Sequence, residues 1–380
     1  MFDGPARLAI LPLIGDDRSM EIRSLREEEI EQALTISALS FGNRSSVADS
    51  VERGRELYPA DYYLGVFDGD EMAAMMRVLP ARMRLNHESV PLALVTPVAS
   101  SHLHRRRGYA GAMLRRSLEM MREQGQWLAA LYTPHPSLYR RYGWEIAADE
   151  RIFKFSPKDL QLAVQPAQRG RMRYVTVDEW QDVDVVHRAH HAGRNGALER
   201  DELWWRNWVL RSWFGSPDAI LWENDAGEPE GYVLYLEPGW SSRDSGKFIV
   251  TELVALTADA YLNLLAVLAQ QDIREEVVYY APSEDPLPLL FVEEQRLKIE
   301  QHHTVLLRIV DVQLALAQRP SFGAAGSCDF SLEARTHTHP GTPVRGACSR
   351  STGRQRSSAS TAPAIYSSTC ATSRPCSTVT

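Results

Sequence analysis

The first half of the chain alternates between strand-like and helix-like spacing of its apolar residues. A period of two predicts a strand, and apolar residues three or four positions apart predict a helix. In chain order, the predicted elements are a strand at 20–25, helices at 26–41 and 45–58, strands at 62–67, 71–84 and 89–99, a helix opened by Gly108 and a strand at 127–133. This order, βααβββαβ, predicts an α+β fold.

Nearly the same order of elements begins again close to Arg171. The predicted elements are a strand at 172–177, a helix around Val185, a Trp-rich helix at 199–214, strands at 219–223, 232–236 and 248–256, a helix at 258–271 and a strand at 277–281. We interpret the chain as two copies of one topology, although no residue-level repeat is visible. Residues 305–318 predict a further strand that runs into a helix.

Composition places the chain among globular proteins. Its apolar fraction is 44% and its charged fraction 24%, and no stretch approaches the roughly 20 apolar residues that a membrane helix needs. Residues 1–19 are predicted to be an N-terminal extension and not a signal peptide, because Pro12 interrupts their apolar run. A cytoplasmic location without membrane contact is expected.

The last 45 residues differ from the rest of the chain. Residues 336–380 contain 18 Ser or Thr, five Arg, no acid and no Leu. Such a segment cannot bury enough apolar surface to fold unaided. We consider a natural disordered tail and a loss of the reading frame near Arg335, and favour the second on composition.

Charge indicates the class of partner, and cysteine content indicates whether disulfides hold the fold. The first 335 residues carry 37 basic and 49 acidic side chains. The resulting net negative charge repels nucleic acid and favours a cationic partner. All four cysteines lie after residue 327, so a disulfide framework is excluded for the main body.

The most specific motif is a basic turn at the start of the helix that follows strand 89–99. It consists of Val98-Ala99-Ser100, a short polar span, and Arg105-Arg106-Arg107-Gly108-Tyr109-Ala110-Gly111. A helix N-terminus presents unpaired N–H groups and partial positive charge, so its main chain can bind a diphosphate while arginines add charge-assisted hydrogen bonds. Gly108 permits the close turn, and the small Ala110 and Gly111 let phosphate approach the backbone.

Pro97 lies inside the strand that leads to this turn. Proline cannot donate to a strand ladder, so a bulge or a splayed strand end is expected, with free N–H and C=O groups for an amide-bearing ligand. The alternative for the arginines is a solvated turn that merely caps the helix. That alternative is weakened because the arginines, the glycine, the helix and the bulge occur together in a net acidic chain.

A second motif, Tyr139-Arg140-Arg141-Tyr142-Gly143-Trp144, follows the strand at 127–133. A phenol held near a thioester sulfur can protonate the departing thiolate, and Tyr139 is the candidate for this role. The alternative is a tyrosine that packs a short helix against the sheet.

These two motifs carry a family resemblance. Arg105, Gly108 and Ala110 match the Arg-x-x-Gly-x-Ala acetyl-CoA signature of GNAT acetyltransferases, and Tyr-x-x-x-Gly-Trp is similar to their general-acid turn. From about Met20 to Arg335 the chain resembles the Eis (enhanced intracellular survival) family, in which tandem GNAT domains precede a sterol-carrier-protein-like domain. The segments Asp285-Pro286-Leu287-Pro288-Leu289-Leu290 and Leu307-Arg308-Ile309-Val310-Asp311-Val312 are similar to that family's junction.

The resemblance implies a domain division. Residues 20–157 would form the catalytic GNAT domain, 158–303 a second and degenerate GNAT domain, and 304–335 the start of a truncated sterol-carrier-protein-like domain. The GNAT domains would have mixed central sheets flanked by helices, and the chain would be a homo-oligomer, a hexamer in that family.

The resemblance also implies an activity and its residues. Acetyl-CoA would be the co-substrate, with Val98, Ala99 and Ser100 on its pantetheine and Arg105, Arg106, Gly108, Tyr109, Ala110 and Gly111 on its diphosphate. Acetyl would pass to an amine of a cationic substrate, either aminoglycoside-like or lysine-type, with Tyr139 as general acid. The family's general base is the terminal carboxylate, a role that falls here on Thr380.

The second copy lacks the basic turn. Its matching segment, Glu252 to Ala260, has no arginine or glycine and carries an acid where phosphate would lie, so one coenzyme site per chain is expected. His187, His190 and His191 have helical spacing but no accompanying metalloprotease pattern, so no metal is predicted. The cluster Trp204, Trp205, Trp208 and Trp213 is predicted to be helix core or a subunit interface.

Two alternative functions remain. A non-catalytic acetyl-CoA-binding or scaffold protein that has lost its terminal base would bind the coenzyme without turnover. A lysine acetyltransferase that acts on proteins would acetylate peptides but not aminoglycosides.

Overall fold

A computed structural model describes residues 20–42, 47–55, 57–167, 169–211, 216–239 and 242–318. Most of the two predicted copies falls within these ranges. The predicted N-terminal extension, Trp213, the tail and Thr380 lie outside the described residues.

The first copy follows the predicted order closely. Its strands and helices are β1 (Met20–Ser24), α1 (Ile30–Ser40), α2 (Val47–Arg55), β2 (Tyr63–Asp68), β3 (Glu71–Leu85), β4 (Glu88–Ser100), α3 (Tyr109–Glu123), β5 (Leu128–Tyr132), α4 (Pro136–Arg140) and β6 (Glu145–Phe155). Helix α3 packs on one face of the sheet through Met113, Leu114 and Leu118, whereas Ile30 and Leu34 of α1 belong to the apolar cluster on the other face.

The second copy repeats this order. Its strands and helices are β7 (Arg171–Val175), α5 (Trp180–His191), α6 (Glu202–Trp204), β8 (Asp218–Glu223), β9 (Pro229–Leu236), β10 (Lys247–Ala255), α7 (Ala258–Ala269), β11 (Glu276–Pro282), α8 (Leu287–Leu290), β12 (Lys298–Ile309) and α9 (Val312–Gln318). The long Trp-rich helix predicted at 199–214 is instead the short α6 followed by a π-helical turn, Trp205–Val209. A π-turn shifts the side chains that follow it around the axis, which a regular helical spacing does not reveal.

All twelve strands form one continuous sheet in which the two copies exchange their last strands. The strand order is β1-β2-β3-β4-β5-β12-β6-β11-β10-β9-β8-β7. Strand β12, at the end of the second copy, pairs with β5 of the first copy, and β6 of the first copy pairs with β11 of the second. Within each copy, the third and fourth of the first five strands are antiparallel and the fourth and fifth are parallel. The prediction of two copies of one topology is therefore confirmed. Because of the exchange, the sheet of each copy is completed by a strand of the other.

The two exchanged strands are where the sequence was least informative. Strand β6 begins EIAADER, in which four of seven residues are charged and four of seven are exposed, so no alternation predicts it. Strand β12 runs without interruption across residue 303, so the domain boundary predicted there falls inside an element of the sheet. Pairing with β5 and β6 determines where β12 begins and ends, and its local periodicity does not show this pairing.

The tryptophan cluster joins the two copies. Trp205 is fully buried in the second copy, where its indole N–H donates to Asp184 over 2.8 Å. Trp204 and Trp208 stack on one another, with ring centroids 5.4 Å apart, and pack against the core of the first copy. The predicted helix-core role is thus correct for Trp205, whereas Trp204 and Trp208 form a contact between copies inside one chain.

Leu306 tests the importance of the exchanged strand. It lies on β12 with its side chain fully buried in the core of the first copy. We expect Leu306→Ala to lower the free energy of unfolding by about 2–5 kcal/mol, because it removes buried methyl groups and leaves a cavity. Urea unfolding followed by tryptophan fluorescence measures this. The control Leu316→Ala, on α9 at 39% exposure, should cost less than about 1 kcal/mol; equal losses would show that β12 is not part of the core.

Candidate active site

Strand β4 carries the bulge that Pro97 predicted. Met76 faces Val98 and Val78 faces Val95, so Thr96 and Pro97 on β4 stand opposite the single residue Arg77 on β3. The sequence-based prediction of a bulge at this position is confirmed. A bulge re-aims the strand that follows it, here Val98, Ala99 and Ser100.

Strands β4 and β5 separate just before the bulge. Their parallel pairing consists of Ala93 with Ala129 and Leu94 with Ala130, whereas β4 continues to Ser100. Of the three residues expected to bind pantetheine, Ala99 is buried and Val98 and Ser100 are half-buried along this open edge. The splayed end predicted from Pro97 is therefore present, and it leaves main-chain groups of β4 facing the gap.

The basic turn connects β4 to α3 through two left-handed residues. Arg106 has φ 64° and Gly108 has φ 86°. A residue without Cβ adopts this conformation at no steric cost, which accounts for Gly108. Arg106 takes it at a cost of order 1–3 kcal/mol, a strain that persists only where the surroundings impose it.

The three arginines of the turn are not equivalent. Arg107 is paired with Asp68 over 3.0 Å, and the Tyr109 hydroxyl donates to the same carboxylate over 2.8 Å. Arg105 and Arg106 are exposed and make no ion pair with any residue that the structure describes. Two free guanidinium groups thus flank the helix start, and the side chain of Tyr109 is committed to Asp68, so only its main chain remains for a ligand.

The first turn of α3 has no side-chain cap. The first helical bond runs from the Ala112 N–H to the Gly108 carbonyl over 3.1 Å, and no side chain among the described residues accepts from the first-turn N–H groups. The N–H groups of Tyr109, Ala110 and Gly111 are therefore available, beside Arg105 and Arg106. Unpaired N–H groups and aligned peptide dipoles are what a diphosphate binds.

Gly111 serves a packing purpose that the sequence did not reveal. A Cβ at this position would lie 1.8 Å from the Tyr142 hydroxyl oxygen. The hydroxyl of Tyr142 therefore rests against the first turn of α3, and the Tyr139–Trp144 motif touches the basic turn directly. The sequence predicts Gly111 as a point of close phosphate approach, and in the structure its lack of a Cβ also lets the Tyr142 hydroxyl lie against the helix.

Tyr139 lies in an apolar pocket next to this contact. Its ring packs edge-on against the fully buried Trp144, with centroids 6.5 Å apart. Burial raises the pKa of Tyr139 above its usual value, and a hydrogen bond with Thr133 acts in the opposite direction. The phenol is accordingly protonated at neutral pH, which is the state a general acid requires.

The exchanged strand β12 fixes the turn that follows Tyr139. The Arg308 guanidinium donates to the Gly143 carbonyl over 3.0 Å, and a side chain at residue 143 would collide with that guanidinium. Gly143 has φ 77°, a left-handed conformation that favours glycine, and a Cβ there would displace the Arg308 guanidinium. Arg308 was part of the junction motif in the sequence, but its contact with this turn was not foreseeable from local spacing.

The second copy lacks the features of this site. Its helix α7 is capped by Thr257, whose hydroxyl accepts the Ala260 N–H over 3.2 Å, and Asp259 in its first turn pairs with Arg169. Beside the bulge of β10, a bidentate ion pair joins Glu252 to Arg200 at 2.6 and 2.8 Å. An acid and a filled cap occupy the place where the first copy offers free N–H groups.

The three histidines of α5 pack beside this ion pair. His187 is buried with its ring edge-on to Trp205, and burial lowers its pKa to about 3. Burial also lowers the pKa of His191 to about 4, and the ring of His190 contacts the Ala255 carbonyl. Neutral rings at pH 7 are consistent with a packing role. No cluster of three metal-ligating side chains is found within the described ranges.

Comparison with known proteins identifies the fold and the chemistry. The model of an acetyltransferase (GNAT) domain matches residues 21–147, and a second GNAT model matches residues 196–309. An uncharacterised N-acetyltransferase of Streptomyces avermitilis is 28% identical over 79% of this chain and 76% of its own length. N-acetyltransferase Eis of Mycobacterium tuberculosis is 26% identical over 75% of this chain and 73% of its own length. This chain belongs to the Eis family of GNAT acetyltransferases.

A solved structure shares the fold of this chain. Eis1 from Mycobacterium abscessus superposes with a TM-score of 0.63 at 23% identity, over 81% of this chain and 78% of that protein. The match of the second GNAT model ends at residue 309, the last residue of β12. In this Eis-family acetyltransferase, therefore, β12 belongs to the GNAT sheet. No helix of the described residues is long and apolar enough to cross a membrane.

Gly111→Ala tests the contact between the two motifs. We expect a net loss of no more than about 1 kcal/mol in the free energy of unfolding, because the new methyl displaces the half-buried Tyr142 hydroxyl while alanine is favoured over glycine within a helix. Chemical denaturation should show a smaller loss in a Tyr142→Ala background, since the colliding group is then absent. Gly239→Ala, where a Cβ meets open space, is the control and should change stability by less than about 0.5 kcal/mol. Equal losses in both backgrounds would disprove the contact.

Proposed function

We propose that the first copy binds acetyl-CoA across the gap between β4 and β5 and transfers its acetyl group to an amine of a cationic substrate. The observation that carries this proposal is the uncapped first turn of α3 beside Arg105 and Arg106, neither of which forms an ion pair within the part of the chain that the structure describes. GNAT domains use acetyl-CoA as co-substrate, and its diphosphate would bind the free N–H groups of this turn. Pantetheine would then run along Val98, Ala99 and Ser100.

The transfer needs no covalent enzyme intermediate. The neutral amine nitrogen attacks the acetyl carbonyl carbon, the carbon–sulfur bond breaks, and the amine loses a proton as the coenzyme thiolate gains one. Main-chain N–H groups at the bulge of β4 would stabilise the negative charge that develops on the carbonyl oxygen. Tyr139, protonated in its apolar pocket, would supply the proton to sulfur.

The general base is assigned by family resemblance alone. In the Eis family the terminal carboxylate takes this role, which would fall on Thr380, outside the described residues. The net acidic charge of the first 335 residues supports a cationic amine, either aminoglycoside-like or lysine-type. Parallel assays with an aminoglycoside, a lysine peptide and a monoamine would separate these classes through the release of coenzyme thiol.

Replacing the proton donor tests the mechanism. We expect Tyr139→Phe to lower kcat about 100-fold or more, because the thiolate then leaves unprotonated. Acetyl-CoA affinity should change less than about threefold, since the diphosphate site is intact. Because the pKa of Tyr139 is raised, the alkaline limb of the wild-type kcat profile should lie above the ordinary tyrosine value, and the variant should lack that limb.

Two controls make this result interpretable. Tyr174→Phe removes an exposed hydroxyl on β7 at the far edge of the sheet and should leave kcat unchanged. Unchanged turnover in Tyr139→Phe would refute the proton-donor role. Tight binding of acetyl-CoA without turnover of any amine by the unmodified protein would favour the alternative of a coenzyme-binding scaffold.

A further inference from the structure

Arg77 is a charged residue in the core of the catalytic copy. It lies in the middle of β3 with 2% of its surface exposed, and no carboxylate among the described residues forms an ion pair with it. An unpaired buried charge is strongly unfavourable unless hydrogen bonds and polarisable groups replace its water. A core position that keeps an arginine therefore calls for an explanation beyond packing.

The guanidinium is held by polar contacts on the first copy. Its Nε donates to the Thr96 carbonyl over 3.0 Å, and Nη1 donates to the Tyr63 hydroxyl over 3.2 Å. Thr96 is one of the two bulged residues of β4, and Arg77 is the residue that stands opposite them. The Arg77 side chain thus forms a hydrogen bond with the bulge that lies opposite the Arg77 backbone. This hydrogen bond fixes the path of the strand from Val98 to Ser100.

Aromatic rings surround the same guanidinium from both copies. Its carbon lies 4.8 Å from the ring centre of Tyr58, 5.5 Å from that of Tyr63 and 5.0 Å from that of Trp208, which the second copy supplies. The Trp208 indole N–H donates to the Tyr58 hydroxyl over 2.5 Å. Cation–π contacts of this kind are stronger in a desolvated setting. The exposed Asp201 accepts the Trp204 N–H instead of pairing with Arg77.

These contacts form one chain of interactions that runs from Trp208 in the second copy, through Arg77, to the bulge of β4. We propose that Arg77 is a positioning residue for acetyl transfer, which holds the β4 bulge in place and couples it to Trp208. The second copy, which has no coenzyme site of its own, then contributes to the reaction by fixing the main-chain donors of the first. The effect on rate rests on the proposed function; the effect on the bulge does not.

The fold-changes expected follow from what the bulge does. Displacing donors aimed at a reacting carbonyl by about 1 Å costs on the order of 100-fold in rate. Arg77→Met keeps the volume and removes the charge and both hydrogen bonds. It should lower kcat about 10- to 100-fold and leave the KM for acetyl-CoA within about threefold. Arg77→Lys retains the cation and one donor but not the planar fork, so it should recover part of kcat.

Hydrogen exchange tests the bulge independently of activity. Amides of the peptide 98–101 that pair with β3 should exchange at least about 10-fold faster in Arg77→Met, whereas those of α3 from Ala112 onward should not change. Arg82→Met is the matched control on the same strand, because Arg82 is exposed and bonds Ser89 away from the bulge. It should alter neither exchange at 98–101 nor kcat.

Substitutions in the second copy complete the test. Trp208→Ala removes the ring and should reproduce the kcat loss of Arg77→Met, whereas Trp208→Phe keeps a ring and should lose less. If Arg77→Met fails to fold, Arg77→Lys and Trp208→Ala carry the same comparison.

The outcomes separate the two proposals. Normal exchange at 98–101 in a folded Arg77→Met protein would overturn the inference, and so would faster exchange with unchanged kcat. If the unmodified protein acetylates no amine, the proposed function fails, while the exchange data still decide whether Arg77 holds the bulge.

Discussion

The free N–H groups at the start of α3 are the constraint on which the rest of the site depends. A helix that begins without a side-chain cap exposes partial positive charge, and here two unpaired arginines add to it. Every neighbouring feature keeps this turn open: Gly108 sets the left-handed entry, Asp68 draws Arg107 and Tyr109 aside, and Gly111 leaves room for Tyr142. By contrast, α7 of the second copy satisfies its own first turn with Thr257 and Asp259. The two copies of one topology thus differ at this turn in a few side chains, and on this difference we propose that the first copy alone binds coenzyme.

The exchange of β6 and β12 makes the second copy part of the structure around the proposed site. Strand β12 inserts beside β5 and brings Arg308 to the carbonyl of Gly143, next to the turn that holds Tyr139. The π-helical turn carries Trp208 across to Tyr58 and Arg77 behind the β4 bulge. Both edges of the proposed cleft are therefore supported by residues of the second copy. Loss of that copy would remove a strand from the middle of the sheet and not merely a neighbouring domain.

Much of this architecture could be predicted from local pattern, and the failures have physical causes. The bulge followed from Pro97, the turn from Gly108 and the repeat from the order of elements, because each is a short-range consequence of backbone chemistry. Strand β6 was not predicted because most of its first residues are exposed. The continuation of β12 through residue 303 was not predicted because pairing with distant strands determines it. The roles of Tyr142, Arg308 and Arg77 depend on contacts between residues far apart in the chain, which a single sequence does not encode in its spacing.

The central claim is that one coenzyme site exists per chain, at the start of α3. Isothermal titration of the unmodified chain and of Arg106→Glu with acetyl-CoA tests it most directly, with Arg116→Glu on the outer face of α3 as the matched charge control. We predict one molecule bound per chain and an affinity at least about 10-fold weaker in Arg106→Glu, equivalent to about 1.4 kcal/mol. Two molecules per chain, or undiminished affinity in Arg106→Glu, would contradict it.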